Sequence, residues 1–178
     1  MRIIEIRALR GANYYSLSPV VYLRLDIEKL ETQPSDTVPG FLDNLKKMLP
    51  SLVEHRCSPQ VHGGFFERVK KGTWAGHVVE HIALELQCLA QMDVSFGKTF
   101  TLTEKGLYDV VFGYQDEEAG LEAGKYAVKI VDGLFRNKTT DIDPIIAHLN
   151  NIRKKHLYGP STQAIVEEAK ARGIPFFS

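Results

Sequence analysis

Alternating apolar and polar residues predict two β-strands at the start of the chain. Residues 2–9 (RIIEIRAL) alternate in part, and residues 20–27 (VVYLRLDI) alternate more regularly, with four apolar side chains on one face. Apolar residues then recur at helical spacing, which predicts a helix over about 38–49. Pro50 ends or bends this helix, because proline lacks the backbone donor that a helix interior needs.

A loop and then a strong helix are predicted in the middle of the chain. Residues 55–72 are interrupted by glycine, proline and histidine, whereas residues 73–91 carry an apolar stripe at helical spacing. His77, His81 and Glu85 share a different face of that helix. A polar line on so apolar a helix needs partners, because buried polar groups without hydrogen bonds are destabilising.

The second half of the chain predicts a hairpin followed by helices. Residues 99–104 and 107–114 read as two strands joined by a tight turn. An acidic cluster at residues 116–118 begins a helix of about twenty residues, where negative charge complements the helix dipole. Asp143-Pro144 begins another helix, which runs to about Lys155.

The final stretch predicts a short helix ended by Gly173 and then a short strand, which resembles the opening of a further α/β domain. We therefore predict two units, residues 1–158 and 159–178. The fold class predicted for the first is α+β, with a small mixed or antiparallel sheet covered by helices. The helix over 73–91 is central and packs against the helix that begins at 116.

The composition excludes several classes of function. The 178 residues are 44% hydrophobic and 25% charged, and 22 basic residues balance 22 acidic ones. No net field therefore favours nucleic acid or an anionic membrane. No apolar run approaches the roughly 18 residues that span a bilayer, no signal-peptide core is present, and two cysteines make no disulfide framework. We expect a cytoplasmic protein that binds neither nucleic acid nor membrane.

Residues 77–81 (HVVEH) carry the clearest chemical signal, an H-x-x-E-H motif within the predicted helix. Histidines four apart project from one helical face, so two imidazoles can bind the same cation. With a third ligand and an open position, His77 and His81 would form a catalytic zinc site, with Glu80 as general base, as in inverse zincins. The alternative is that the histidines form a half-buried polar stripe and that Glu80 is a solvated charge.

Other polar residues have weaker signals. Cys57, His55 and His62 suggest a second metal or a thiol nucleophile, but their spacing fits no closed zinc site, so we interpret Cys57 as structural. Arg68 is a candidate for binding a substrate carboxylate, since guanidinium binds carboxylates in a bidentate way. Glu85 is a candidate partner for a substrate cation. Both are equally compatible with a solvated surface.

Four segments together resemble the N-terminal region of the cyanophycin synthetase family. They are EIRALRGANYYS, CSPQVHGGFFERVKKGTWAGHVVEHIALELQ, DEEAGLEAGKYAV and GPSTQAIVEEAKARGIP. The resemblance implies a polymer-handling domain over residues 1–158 and the beginning of an ATP-grasp domain over 159–178. In that family, an ATP-grasp domain and a Mur-ligase-like domain together add aspartate and arginine to cyanophycin, a polypeptide with an aspartate backbone and arginine side chains.

The resemblance implies a division of labour within a longer protein. The chain has no G-x-x-x-x-G-K-[ST] loop, so ligation that uses ATP and Mg²⁺ is expected only in domains outside these residues. The expected partners are cyanophycin and the other synthetase domains, and we expect the full-length form to be a homo-oligomer. Some family members resemble a metallopeptidase that clips the polymer into primers, and an intact H-x-x-E-H motif favours such a member.

The same resemblance implies roles for individual residues. His77 and His81 would be zinc ligands, and Glu80 would activate water. The third ligand of inverse zincins is a glutamate from a later helix, for which Glu117 is the first choice, with Glu118 and Glu122 as alternates. The alternative function is a polymer-anchoring module without catalysis, in which case the histidines are structural.

Overall fold

The fold is built on a four-stranded antiparallel sheet. A computed structural model describes residues 1–57, 60–156 and 159–174. The strands are β1 (Arg2–Leu9), β2 (Val20–Asp26), β3 (Gly97–Thr101) and β4 (Leu107–Gly113), in the spatial order β1-β2-β4-β3. Every pairing is antiparallel. The antiparallel form of the predicted sheet is confirmed, including the hairpin of β3 and β4.

Helices make up most of the remaining described residues. They are α1 (Phe41–Met48), α2 (Gly64–Lys71), α3 (Ala75–Leu89), α4 (Glu117–Phe135), α5 (Asp143–His156) and α6 (Pro160–Ala171). Short 3-10 helices cover Glu28–Thr32, Ser35–Thr37 and Pro50–Glu54. The predicted α+β class is confirmed.

One predicted loop was wrong in part, because α2 lies within residues 55–72. The helix follows Gly63, whose φ of 75° is left-handed, and it buries Phe65, Phe66 and Val69. Eight residues are about two turns, too short for the helical period to stand out beside a glycine pair that also suits a turn.

The hydrophobic core lies between one face of the sheet and the helices. Alternate residues of β2 and β4 point into it, among them Leu23, Leu25 and Phe112, all fully buried. The alternation follows from the period of two in a strand. Helix α3 contacts β3, β4, α4 and α5, which confirms its predicted packing against the helix from 116, and most of its residues are buried.

The segment before α2 lies directly against the start of that helix. The backbone amide of Gly63 donates to the carbonyl of Val53 at 2.7 Å, and that of Phe65 donates to the carbonyl of His55 at 3.0 Å. A Cβ at Gly64 would overlap the carbonyl oxygen of Arg56, so only glycine permits this approach. Residues 53–57 are thereby held beside α2.

The structure describes only part of the C-terminal segment. Helix α6 agrees with the short helix predicted there. The predicted terminal strand falls mainly on residues 175–178, which lie outside the described residues. The predicted boundary between residues 158 and 159 adjoins residues 157–158, which also lie outside them, so the two-unit division stays a prediction. No described helix combines the length and apolarity required to cross a bilayer.

Candidate metal centre

Helix α3 and the segment before α2 bring three metal-binding side chains together. His77 and His81 lie one turn apart on α3, with ring centroids 4.8 Å apart. Cys57 joins them, and among the described residues one ligand atom from each of the three lies within 4.8 Å of the others. The sulfur of Cys57 is 3.4 Å from Nε2 of His77. Zinc bonds of about 2.3 Å to sulfur and 2.0–2.1 Å to nitrogen suit such a group, so the donor set fits a zinc ion.

Cys57 is the functional candidate whose role the sequence analysis missed, because it was interpreted as structural. Its φ of 51° lies in the left-handed region, which residues other than glycine rarely adopt. Backbone strain of this kind clusters at functional sites. Twenty residues separate Cys57 from His77 in the chain, and only the packing of α2 brings them together.

The three acidic candidates for the third ligand lie elsewhere, each beside a basic side chain. Glu117 accepts two hydrogen bonds from Arg10, at 2.7 and 2.9 Å. The carboxylate of Glu118 is 3.6 Å from Nε2 of His156, and that of Glu122 accepts from Lys125 at 2.7 Å. None of these glutamates is among the residues that line the cavity at the histidines.

The reason is the way in which α4 packs. Its buried face consists of small and apolar residues, including Ala119, Ala123 and Ala127. A helix turns by about 100° per residue, so side chains at 117, 118 and 122 leave α4 in other directions. A later helix with acidic residues is present, but its orientation does not bring their carboxylates to the histidines.

Nδ1 of each histidine has a hydrogen-bond partner. The Thr73 hydroxyl lies 2.9 Å from Nδ1 of His77. Nδ1 of His55 lies 2.9 Å from Nδ1 of His81. Partners of this kind orient metal-binding histidines and select their tautomer.

Glu85 lies behind His55 and is 4% exposed. Its carboxylate is 2.8 Å from Nε2 of His55 and also accepts a hydrogen bond from Ser51. Both oxygens are therefore engaged within the protein, and Glu85 does not line the cavity. Its position suits support of the histidines better than the contact with substrate that the sequence suggested.

Burial favours the neutral form of both motif histidines. It lowers the pKa of His77 to about 4, with a further contribution from the positive charge of Arg68. Burial also lowers the pKa of His81, as do the neighbouring His77 and His55. A neutral imidazole is the form that binds a metal.

Glu80 is buried beside the histidines and lines the same cavity. Its Oε2 accepts a hydrogen bond of 2.6 Å from the Thr99 hydroxyl on β3. Burial raises the pKa of Glu80 to about 7, although the bond from Thr99 acts in the opposite direction. A carboxyl group with a pKa near neutrality can both accept and return a proton.

The site opens into a cavity of about 810 Å³, a volume within the range of ligand-binding clefts. Charged side chains of both signs line it, namely Glu54, Arg56 and Arg68, all exposed. Trp74 and Tyr108 add aromatic surface. Arg68, which the sequence suggested as a carboxylate-binding residue, lines this cavity, so its position is compatible with that role.

Comparisons with known proteins point to one family. A family model described as the cyanophycin synthase-like N-terminal domain matches residues 22–136. A cyanophycin synthetase from Crocosphaera subtropica is 45% identical over 183 residues, which cover 100% of this chain and 21% of that protein.

Two further relatives carry the same name. Those from Geminocystis herdmanii and Trichormus variabilis are 45% and 46% identical over 181 residues. The alignments cover 99% of this chain and 21% and 20% of the relatives. The chain thus spans about a fifth of the length of the curated relatives that it matches.

Proposed function

The chain belongs to the cyanophycin synthase-like N-terminal domain family, and from this premise we propose that it binds cyanophycin and hydrolyses it at a zinc centre. The short fragments that result would serve as primers for polymerisation. The observation that carries the proposal is the convergence of Cys57, His77 and His81 on the cavity that Glu80 also lines. Three side chains able to bind zinc and a neighbouring carboxylate able to act as general base suit a zinc-dependent hydrolase.

Zinc would be held by His77, His81 and Cys57. When bound at an open site, zinc polarises a carbonyl group and lowers the pKa of water to about 7. Cys57 takes the place that the sequence analysis assigned to Glu117, since the carboxylate of Glu117 is engaged by Arg10.

Glu80 moves the proton in this proposal. Its carboxylate takes a proton from the attacking water and returns it to the amine that leaves the cleaved amide. The hydrogen bond from Thr99 holds Oε2 of Glu80 and limits the orientations of the carboxylate. Cleavage of an amide in this way consumes one water and needs no other reactant.

The charged residues of the cavity match the charges of the polymer. Arg56 and Arg68 line the cavity and are the candidates for binding carboxylates, since guanidinium does so through two parallel hydrogen bonds. Glu54 is the matching candidate for a substrate guanidinium, in place of Glu85, which is buried behind His55. A cavity with both signs of charge suits a polymer that carries both.

The greater length and the name of the relatives support a wider proposal. Ligation that depends on ATP and Mg²⁺ would belong to other domains of a longer synthetase, and those domains and cyanophycin would be the partners of this one. The homo-oligomeric state of that longer form stays a prediction. The domain described here would then supply primers to the ligase.

Polymer turnover with and without a chelator tests the proposed function. We expect about one zinc ion per chain, measured by elemental analysis, and release of short fragments from purified cyanophycin. The chelator and His77→Ala should both stop cleavage, whereas His148→Ala, at an exposed histidine of α5 that does not line the cavity, should not. Polymer that binds to the zinc-loaded chain but stays intact would leave only the anchoring function.

Gly97→Ala should slow cleavage without removing zinc. A Cβ at this position would lie 2.6 Å from Oε1 of Glu80, so the carboxylate would have to move. A displacement of about 1 Å can cost up to roughly 100-fold in rate, and we expect a loss of about 10- to 100-fold in cleavage rate. Gly113→Ala on the neighbouring strand is the matched control, because its Cβ would meet nothing closer than 3.7 Å. Equal rates for the two variants would show that the position of Glu80 is unimportant.

A further inference from the structure

We infer that Ser51, Glu85 and His55 form a hydrogen-bonded chain that selects the tautomer of His81 and directs its Nε2 lone pair to the metal. The inference deepens the proposed function and rests on it, since it concerns the zinc centre proposed above. In this series of hydrogen bonds His55 is a positioning residue, which acts on the metal only through His81.

The hydrogen bonds form an unbroken series from Ser51 to His81. The Ser51 hydroxyl donates to Oε1 of Glu85, Oε2 of Glu85 is 2.8 Å from Nε2 of His55, and Nδ1 of His55 is 2.9 Å from Nδ1 of His81. Ser51 lies in the 3-10 helix that immediately precedes His55, whereas Glu85 and His81 lie one turn apart on α3. Two separate segments of the protein therefore meet along one line of hydrogen bonds.

The order of donors and acceptors follows from the carboxylate at one end. Oε1 of Glu85 accepts from the Ser51 hydroxyl and Oε2 lies 2.8 Å from Nε2 of His55, so both oxygens of the carboxylate are engaged. An ionised carboxylate only accepts, so Nε2 of His55 must carry a proton and donate it. If Nε2 of His81 is to bind a metal, the proton of His81 must lie on Nδ1, and Nδ1 of His55, 2.9 Å away, must accept the hydrogen bond from it.

The consequence falls on the other nitrogen of His81. A neutral imidazole carries one proton, so a proton on Nδ1 leaves Nε2 with a free lone pair. Nδ1 of His81 is already occupied by His55, which makes Nε2 the nitrogen available to a metal. The opposite order would place the proton of His81 on Nε2 and prevent binding there.

The side chains need these hydrogen bonds because they are buried, and water has little access to replace a missing partner. The side chains of His55 and Glu85 are 16% and 5% exposed. Phe65 of α2 stacks on the ring of His81, with centroids 4.0 Å apart and an interplanar angle of 21°. A buried donor that loses its acceptor is destabilised, so the ring of His81 would turn or change tautomer if His55 were replaced.

Zinc affinity measured by competition with a chelator tests the inference. His55→Leu removes the acceptor, and we expect it to weaken zinc binding by about 10- to 100-fold, the usual effect of losing such a partner. His55→Asn should recover most of the affinity, since its side-chain oxygen lies near the position of Nδ1. His62→Leu, at an exposed histidine, should bind zinc as the parent does.

A double substitution distinguishes the loss of these hydrogen bonds from a general loss of packing. If Glu85 acts only through His55, then Glu85→Leu should weaken zinc binding in the parent but add nothing in the His55→Leu background. If the fold-losses in zinc affinity of the two single variants multiply in the double variant, the two residues act independently and the inference is wrong. Wild-type affinity in His55→Leu would overturn it equally.

Histidine nitrogen chemical shifts of the zinc-free chain provide a readout that needs neither metal nor activity. We expect the proton of His81 on Nδ1 in the parent and a mixture of tautomers in His55→Leu. A parent with the proton on Nε2 would overturn the inference, and this measurement decides the matter even if His55→Leu does not fold. Failure of the parent to bind zinc would instead overturn the proposed function.

Discussion

Glu80→Gln should lower the rate of cyanophycin cleavage by about 10²- to 10⁴-fold, the usual contribution of a general acid–base group. Glutamine has nearly the shape of glutamate and can still accept the hydrogen bond from Thr99, but it cannot take a proton from water. Zinc should stay bound, since Glu80 is not among the three residues whose ligand atoms converge. The rate of fragment release and the zinc content of the same sample measure both effects.

Glu104→Gln is the matched control for this experiment, because Glu104 is exposed in the turn between β3 and β4 and does not line the cavity. It should cleave the polymer at the parent rate. If Glu80→Gln retains zinc and cleaves as fast as the parent, the proposed proton transfer is wrong. Loss of zinc in Glu80→Gln would mean that the carboxylate is itself a ligand.

Cys57→Ala should weaken zinc binding by more than the roughly 10- to 100-fold that replacement of a supporting residue costs. The substitution removes one of the three converging donor atoms, whereas both imidazoles stay on α3. Cobalt(II) substitution provides a second measurement, because a thiolate ligand produces a charge-transfer absorption that imidazoles alone do not. We expect that absorption in the parent and its absence in Cys57→Ala.

Glu117→Ala distinguishes the two possible third ligands. Its carboxylate is held by Arg10 away from the cavity, so the variant should bind zinc and cleave polymer as the parent does. The reverse result, with zinc lost in Glu117→Ala and kept in Cys57→Ala, would restore the ligand set of the inverse zincins. It would also require α4 to reorient when metal binds.

Most of the fold was predictable because its strands and long helices carry strong periodic patterns. The alternation of residues 20–27 corresponds to β2, whose inward residues are fully buried, and the stripe over 73–91 corresponds to α3. Helix α2 was not predicted, since two helical turns that begin at the second residue of a glycine pair resemble a loop. Its importance to the site is large: Phe65 stacks on His81, and the backbone at Gly64 contacts Arg56, next to Cys57.

The sequence by itself determined that two histidines and a glutamate lie together on one helix. The period of 3.6 residues places His77 and His81 on the same face whatever the rest of the chain does. Only the tertiary structure decided what meets them, because Cys57 and His55 reach α3 through the packing of α2. The buried face of α4 consists of small and apolar residues rather than carboxylates, and the carboxylate of Glu117 binds Arg10 instead. Side chains within one helix are related by local geometry, whereas those from separate segments depend on how the whole core packs.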